Sequence, residues 1–315
     1  MLKIGIVGVG GVGGYIGARL IQKNLCDVTL FGRGEHFWAI KKNGLSIKDM
    51  KEKFTVNPIN LIDTQNDDSD ETFDIIFITT KSYSFKDISA TINRHSDKNT
   101  LIIPLSNGVN HKVELKSYVQ KGVVLDGCIY ILSNIKEPGV IEKKALTFYL
   151  IFGDNQNRFQ EKLQTLNKVL NQSQLKSKLS ENIEFDCWTK YLLISSFATL
   201  TSFFKKPMGY IVKEKMTMLK EVLEEIKSVA NALHVEIGKN EIEKTIKQVQ
   251  NIPYNSKTSM QIDFENRNST ELESLTGYIV KEAEKLGVDV KNMKMMYEKL
   301  KGVPKKATAS NCSTR

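Results

Sequence analysis

Cysteine is scarce in this sequence. Only Cys26, Cys128, Cys187 and Cys312 occur among 315 residues, and no two of them form a CxxC pair. This scatter excludes the usual spacing of a structural zinc site or a thioredoxin-like motif, so we expect no metal site. Isolated thiols are typical of a reducing compartment.

Long apolar runs are lacking as well. A membrane-spanning helix needs about 18 uninterrupted apolar residues, and the best candidate, residues 191–204, is shorter and contains several hydroxyls. Residues 1–4 enter an apolar strand directly, without the basic leader of a signal peptide. We therefore expect a cytoplasmic protein without membrane contact.

The composition is that of a soluble globular protein, with 41% hydrophobic and 26% charged residues. The net charge of +9 is spread over helical segments and is not gathered in one block with interleaved aromatic residues. Solvated helix faces explain this pattern without a nucleic-acid partner, which we do not expect. A positive field would equally attract a polyanionic cofactor and an acidic substrate.

The first half of the chain alternates between short apolar segments and helical ones. Lys3–Val7 is a predicted strand and Gly11–Lys23 a predicted helix, and further strands are predicted at residues 27–31, 74–78, 101–103 and 123–130. This order predicts an α/β domain over residues 1–180 with a parallel sheet covered on both faces. The turn at Glu137-Pro138-Gly139 predicts an antiparallel hairpin that closes the domain.

The periodicity becomes helical after about Leu179. Residues 219–233 carry an apolar stripe along one helix face, and Thr270 and Glu273 have the spacing of a capping box at a helix start. We predict an all-α domain over residues 181–304. The polar residues 305–315 are expected to form a disordered tail.

A glycine turn follows the first predicted strand. The sequence Gly8-Val9-Gly10-Gly11-Val12-Gly13 matches G-x-G-x-x-G and opens a helix. In such a turn Gly8 permits the tight bend, Gly10 lets a pyrophosphate approach the backbone, and Gly13 lets helix and strand pack closely. The helix start at Gly11 and Val12 offers N–H groups to the phosphates. The position of the motif predicts dinucleotide binding.

The end of the second predicted strand indicates which dinucleotide binds. An NAD site places an acidic residue there to hold the ribose 2′-hydroxyl, whereas this chain has Arg33. A guanidinium suits a 2′-phosphate through paired hydrogen bonds. We therefore predict NADPH as the cofactor. An exposed loop arginine without a ligand is the alternative.

Carbonyl reduction also needs a proton donor. The histidines, His36, His95, His111 and His234, lack a partner pattern, and we expect them to be structural or exposed. Lys190 lies in an apolar stretch between Trp188 and Tyr191, and burial can lower the pKa of a lysine toward neutrality. From periodicity alone, a lysine that extends its ammonium group to solvent remains the alternative.

The chain resembles the ketopantoate reductases (2-dehydropantoate 2-reductases) across nearly all of residues 1–300. The features that carry the resemblance occur in the order of that family: the glycine turn, Phe31-Gly32-Arg33, Lys42-Asn43-Gly44-Leu45, Thr80-Lys81, Ser106-Asn107-Gly108-Val109, Glu137-Pro138-Gly139, Trp188-Thr189-Lys190, Thr258-Ser259-Met260 with Asp263, and Thr270-Glu271. The resemblance implies a Rossmann-type dinucleotide-binding domain and a helical domain like that of 6-phosphogluconate dehydrogenase.

The resemblance also implies a reaction and its residues. The reaction would be NADPH-dependent reduction of 2-dehydropantoate to pantoate, in pantothenate biosynthesis. Lys190 would be the general acid, and Ser259 and Glu271 would hold the substrate and tune Lys190. Arg33 and Lys81 would bind the cofactor, and Asn107 would contact nicotinamide or substrate. A homodimer is a further possibility.

Two positions depart from the family pattern. Many ketopantoate reductases carry asparagines four and eight residues after the lysine, where this chain has Ile194 and Ala198. A buried amide hydrogen bond contributes about 1 kcal/mol, so a hydroxylated substrate would lose contacts. Another 2-keto acid or an imine as substrate therefore remains an alternative, as does a non-catalytic NADP(H)-binding sensor.

Overall fold

The computed structural model describes residues 1–58, 60–250 and 252–304. The contacts of the chain divide it into two compact units. The first comprises Met1–Ser106 and Asn110–Cys187, and the second comprises Asn107–Val109 and the chain from Trp188 onward. The boundary at residues 180 and 181 stays a prediction, and the expected tail, 305–315, lies outside the described residues.

The first unit contains both strands and helices. Its strands are β1 Lys3–Val7, β2 Asp27–Gly32, β3 Leu45–Lys48, β4 Lys53–Val56, β5 Asn60–Asp63, β6 Ile75–Ile78, β7 Leu101–Pro104, β8 Val123–Val124, β9 Asp126–Glu137, β10 Val140–Gly153 and β11 Ser177–Leu179. Its helices are α1 Gly11–Lys23, α2 Gly34–Asn43, α3 Phe85–Arg94, α4 His111–Lys116 and α5 Gln160–Gln172.

Six strands form a parallel sheet in the order β5-β2-β1-β6-β7-β8. Each of its central strands is apolar on both faces, and all four residues of β6 and of β7 are buried. Such continuous apolar strands are typical of a parallel sheet covered on both sides. The predicted dinucleotide-binding architecture is confirmed, and α1 has the predicted bounds.

A second sheet was not predicted. It has the order β11-β10-β3-β4, with β9 paired antiparallel to β10. The predicted antiparallel hairpin forms at the Glu137-Pro138-Gly139 turn, but it belongs to this other sheet and not to the parallel one. The physical reason is that the chain leaves the parallel sheet after the two residues of β8, and β9 and β10 then run on for 12 and 14 residues.

The second unit is helical, as predicted. After α6 Ile183–Phe204, which begins in the first unit, it contains α7 Met208–Glu214, α8 Met216–Ala232, α9 Lys239–Gln250, α10 Ser259–Glu265, α11 Tyr278–Leu286 and α12 Lys291–Lys301. The apolar stripe of α8 is buried, as its spacing requires. Across the described ranges, no helix has the length and apolarity that a membrane span requires.

The capping box expected at Thr270 does not form. A π-helical turn, Glu273–Gly277, leads into α11, and no side chain caps its start. Glu273 instead accepts a hydrogen bond from Tyr297 at 2.9 Å and forms an ion pair with Lys281 at 2.5 Å. The tertiary partners of Glu273 thus outcompete the local cap that its spacing suggested.

A buried ionic network fixes the direction of α1, the helix that follows the glycine turn. Asp49, in the β3–β4 turn, accepts hydrogen bonds from Tyr15 at 2.8 Å and from Arg19 at 3.1 Å, and Lys143 of β10 lies 3.5 Å away. Burial alone would raise the pKa of the Asp49 carboxyl, but the Tyr15 hydrogen bond and the Lys143 charge lower it on balance. The network therefore requires Asp49 in its ionised form.

Neutralising Asp49 should destabilise the first unit. Asp49→Asn leaves Arg19 and Lys143 buried without their shared counter-charge, for which we expect a loss of about 3 kcal/mol in the free energy of unfolding. Urea denaturation measures the change. Glu52→Gln is the matched control, because Glu52 also pairs with Arg19 but its side chain is 42% exposed, so its loss should stay below about 1 kcal/mol. Equal losses in the two variants would contradict the network's role.

Candidate functional site

The glycine turn is bent back onto the parallel sheet at Gly8. This residue has a φ of +100°, a conformation that favours glycine. Its N–H donates to the Phe31 carbonyl at 3.0 Å, and its own carbonyl accepts from the Thr79 hydroxyl at 2.5 Å. Thr79 thus anchors the turn from the strand end after β6, a role that no sequence motif indicated.

Packing explains the glycines at positions 11 and 13. A Cβ at Gly13 would lie 2.1 Å from the Gly8 carbonyl oxygen, and one at Gly11 would lie 2.5 Å from the Ser133 carbonyl oxygen. Both distances are shorter than any tolerated contact with backbone. Only glycine allows α1 to start this close to β1 and β9.

Gly10 differs from its neighbours. Its φ of −79° is available to any residue, and a Cβ there would meet no atom of the described residues within 4 Å. Neither backbone conformation nor internal packing therefore requires glycine at this position. In dinucleotide-binding turns the second glycine lets the ligand approach the backbone, and the open space at Gly10 is compatible with that role.

The start of α1 offers the groups that phosphates bind. The helix begins at Gly11 and Val12, its first N–H groups lack intrahelical acceptors, and no acidic side chain lies in its first turn. These donors and the positive end of the helix dipole suit a pyrophosphate. The residues present therefore fit a nicotinamide dinucleotide.

Arg33 and Lys81 follow β2 and β6. These two strands lie on either side of β1, the strand that leads into the glycine turn. Arg33 follows β2 directly, is exposed, and makes no side-chain hydrogen bond or ion pair within the described residues. The preceding Gly32 packs beside Val9 of the turn. Lys81 comes two residues after Thr79 and begins a short 3₁₀ helix. Both side chains are placed next to segments that contact the turn.

His36, on α2, stabilises the part of the first unit that follows Arg33. Its Nδ1 accepts a hydrogen bond from the Gly139 N–H at 3.0 Å, which links α2 to the β9–β10 turn. Burial lowers the pKa of His36, and a hydrogen bond with the backbone of Val9 only partly opposes this. A neutral imidazole thus supports the loop that carries Arg33.

Of the remaining histidines, His234 is exposed, and His95 and His111 are structural in their contacts. His95 is buried, with its ring nitrogens against the Glu71 carbonyl at 2.6 Å and the Asp67 carboxylate at 2.8 Å. His111 packs edge-on against Phe85. No group of three or more His, Cys, Asp or Glu side chains that could hold a metal ion occurs in residues 1–58, 60–250 and 252–304.

The helical unit buries a lysine. Lys190 of α6 is 4% exposed, and its Nζ donates a hydrogen bond to Asn107 Oδ1 at 2.9 Å. Asn107 follows β7 and belongs to the second unit by its contacts. The structure therefore brings together two residues that are 83 positions apart in the sequence. The alternative, a lysine that reaches bulk solvent, is wrong.

Hydroxyl groups of α6, the helix that contains Lys190, donate hydrogen bonds to the π-helical turn. The Tyr191 hydroxyl donates to the carbonyls of Ser274 and Leu275, and Ser195 also donates to Leu275, at 2.9 Å. A π-helical turn leaves its carbonyls less well paired within the helix, so they can accept these bonds. Burial raises the pKa of Tyr191 well above its usual value, so the phenol keeps its proton. The segment that carries Glu271 is thereby tied to the helix of Lys190.

The other predicted site residues are placed differently. Glu271 is 2% exposed and lies two residues before the π-helical turn begins at Glu273. Ser259 is the exposed first residue of α10. Ile194 and Ala198 follow Lys190 by one and two helical turns; Ile194 is half-buried and Ala198 is 3% exposed. The face of α6 that continues from Lys190 is therefore apolar at these two positions.

These features define a class of protein. A parallel-sheet unit with a glycine turn before its first helix, followed by a helical unit that holds a buried lysine, defines an oxidoreductase that uses a nicotinamide dinucleotide.

The chain belongs to the ketopantoate reductase family. The family model described as ketopantoate reductase PanE/ApbA matches residues 4–157, and the one described as its C terminal matches residues 182–304. The expected membership is confirmed.

Three similar proteins extend this result. The chain is 29% identical over 301 residues to the uncharacterized oxidoreductase YkpB of Bacillus subtilis, covering 95% of this chain and 98% of that protein. Among solved structures, 2-dehydropantoate 2-reductase from Porphyromonas gingivalis has a TM-score of 0.82 and 28% identity, covering 95% of this chain and 99% of that one. The ternary structure of D-mandelate dehydrogenase with NADH and anilino(oxo)acetate has a TM-score of 0.85 and 20% identity. The match covers 95% of this chain and 97% of that one.

Gly10 and Gly13 should respond differently to the same added methyl group. Gly13→Ala places a Cβ against backbone and should destabilise the fold, whereas Gly10→Ala should fold normally and bind NADPH at least about tenfold more weakly. Thermal denaturation and fluorescence titration with NADPH separate the two effects. Unchanged NADPH affinity in Gly10→Ala would contradict ligand approach at this glycine.

Proposed function

We propose that this protein reduces a 2-keto acid to the corresponding 2-hydroxy acid with NADPH. The observation that carries the proposal is the buried ammonium group of Lys190, held by Asn107 at 2.9 Å. A buried amine with a fixed hydrogen-bond partner is poised to transfer a proton, and solvated lysines of surface helices are not.

Each site residue has a role in this proposal. Bound NADPH would supply a hydride from C4 of its nicotinamide ring. Lys190 donates the proton that neutralises the new alkoxide, and Asn107 orients the Lys190 ammonium. Glu271 and Ser259 hold the substrate, and Glu271 also tunes Lys190. Gly8, Gly10, Gly11, Val12 and Gly13 receive the pyrophosphate, with Lys81 beside the cofactor.

The substrate we propose first is 2-dehydropantoate, with pantoate as the product, in pantothenate biosynthesis. Family membership and the similarity to the Porphyromonas gingivalis enzyme support this choice. Ile194 and Ala198 favour a second candidate, a less polar 2-keto acid or an imine, because neither side chain can donate to or accept from substrate hydroxyls. The structural neighbour that is a D-mandelate dehydrogenase has the same fold.

NADPH is proposed over NADH because of Arg33, whose side chain is exposed and without a partner in the described chain. The guanidinium can bind a 2′-phosphate through two parallel hydrogen bonds. A cytoplasmic location and a homodimer stay predictions; sedimentation of the purified protein tests the latter.

The proposal as a whole is tested by following NADPH absorbance with a panel of 2-keto acids. The panel contains 2-dehydropantoate, pyruvate, 2-oxoisovalerate and phenylglyoxylate. Turnover with 2-dehydropantoate above the others supports the first candidate, and preference for the less hydroxylated acids supports the second. NADPH binding without reduction of any member would instead indicate a non-catalytic sensor.

Removing the Lys190 ammonium should abolish most of the activity. Lys190→Ala should lower kcat by about 100-fold or more, the usual contribution of a positioned acid, while NADPH still binds. Lys190→Arg should stay equally slow, because a guanidinium keeps the charge but does not release a proton at neutral pH. Lys220→Ala, on an exposed face of α8, is the matched control. Near-normal turnover in Lys190→Ala would defeat the assignment.

Reversing the charge at Arg33 should separate the two nicotinamide cofactors. Arg33→Asp should weaken NADPH by roughly 10- to 100-fold, the value of charge-assisted hydrogen bonds, and leave NADH nearly unchanged. The dissociation constants of both cofactors measure this, with Lys51→Asp as an exposed control for net charge. Equal weakening of NADPH and NADH would refute a 2′-phosphate contact.

A further inference from the structure

The helical unit contains a cavity at the ends of three of its helices. It measures about 460 Å³ and lies at the C-terminal ends of α6, α10 and α12. Ser202, which lines it, is twelve residues after Lys190 on the same helix, which corresponds to about 18 Å along the helix axis. The cavity is therefore a different place from the surroundings of the Lys190 ammonium.

Gln261 presents an unsatisfied acceptor in this cavity wall. The residue is 1% exposed, and its Nε2 donates to a Glu265 carboxylate oxygen at 2.9 Å. Because a carboxylate only accepts, the amide nitrogen must face Glu265, and this fixes the orientation of the amide. Oε1 is then buried without a hydrogen-bond partner in the described residues. A buried acceptor left unpaired loses its hydration without a compensating hydrogen bond, which is unfavourable.

Ser202 adds a second unsatisfied polar group. Its side chain is 3% exposed, and its Oγ has no hydrogen-bond partner within the described part of the chain. The two residues that line this cavity therefore each carry a buried polar atom without a described partner, whereas buried polar groups in folded proteins are nearly always paired. A ligand with hydrogen-bond donors would satisfy both.

The charges around the cavity are predominantly positive. Lys205, Arg267 and Lys299 line it, and none of them forms an ion pair with a described residue. Glu265, the acidic residue of the lining, is already paired with Lys257 at 2.7 Å. The three exposed cations therefore suit an anionic group at the entrance.

We propose that this cavity is a binding site for a small organic acid that carries a hydroxyl or amino group. Its carboxylate or phosphate binds Lys205, Arg267 and Lys299, and its donor binds Gln261 Oε1 and Ser202 Oγ. Phe264 and Leu300 contact the short carbon chain between these groups. The proposal is independent of which 2-keto acid the Lys190 site reduces.

Matched probes test the proposal by calorimetry on the full chain. sn-Glycerol 3-phosphate and 3-hydroxypropionate carry both the anion and hydroxyls; n-propyl phosphate and propionate lack the hydroxyls, and glycerol lacks the anion. Saturating NADP⁺ keeps phosphate probes from binding at the glycine turn. We expect the two hydroxylated anions to bind at least about tenfold more tightly than the other probes.

Variants assign the binding to this cavity. Gln261→Leu removes the acceptor and Ser202→Ala the hydroxyl, and each should weaken the hydroxylated anions by about fivefold or more. Arg267→Gln combined with Lys299→Gln should weaken all anionic probes, while Lys291→Gln on α12 should weaken none. Ser202→Ala keeps the test valid where Gln261→Leu fails to fold.

Several outcomes would overturn the proposal. No saturable binding of either hydroxylated anion below about 10 mM would do so. Equal affinity for n-propyl phosphate and sn-glycerol 3-phosphate would exclude the donor contacts. Binding that is unaffected by both Gln261→Leu and Ser202→Ala would place the ligand elsewhere.

Discussion

The chemistry that we propose for this protein depends on one hydrogen bond, from the ammonium group of Lys190 to the side-chain oxygen of Asn107. A buried charged amine is unfavourable unless polar groups compensate for its lost hydration. Asn107 supplies a hydrogen-bond acceptor that orients the Lys190 ammonium group. An amine held in this way can give up its proton to a developing alkoxide, which a solvated lysine does far less readily.

The surrounding packing makes this arrangement possible. Tyr191 and Ser195, on the same helix as Lys190, bond to carbonyls that a π-helical turn exposes. Thr199 continues the contact through a hydroxyl pair with Thr276 at 2.7 Å. These bonds run along α6 and hold the segment after Glu271 against it. The hydroxyls that disqualified residues 191–204 as a membrane span thus have a structural purpose.

The nucleotide-binding turn was predictable because its constraints are local. The strand, the glycines and the helix are contiguous, and the reasons for Gly8 and Gly13 are backbone conformation and close packing within a few residues. The apolar stripe of α8 was predictable for the same reason, since its period lies within one helix. Arg33 could be read from its position after a strand.

The other features of the fold and of the candidate site depend on contacts between distant residues, which sequence spacing does not encode. The second sheet was missed because β3 and β4 are only four residues each; β4 pairs with β3, and β3 pairs with β10, about 90 residues later. The capping box predicted at Thr270 does not form, because Glu273 instead contacts Tyr297 and Lys281. For Lys190, periodicity alone left a solvated lysine as the alternative, which its burial and its hydrogen bond to Asn107 exclude.

Isotope effects on reduction test the central claim most directly. The rate of 2-keto acid reduction would be measured with NADPH and with NADPH deuterated at the transferred C4 position, each in H₂O and in D₂O. If Lys190 delivers the proton as the hydride arrives, both substitutions slow the same step, and the solvent effect disappears in Lys190→Ala. A hydride effect with no solvent effect in the unmodified protein, or an identical solvent effect in Lys190→Ala, would contradict the account.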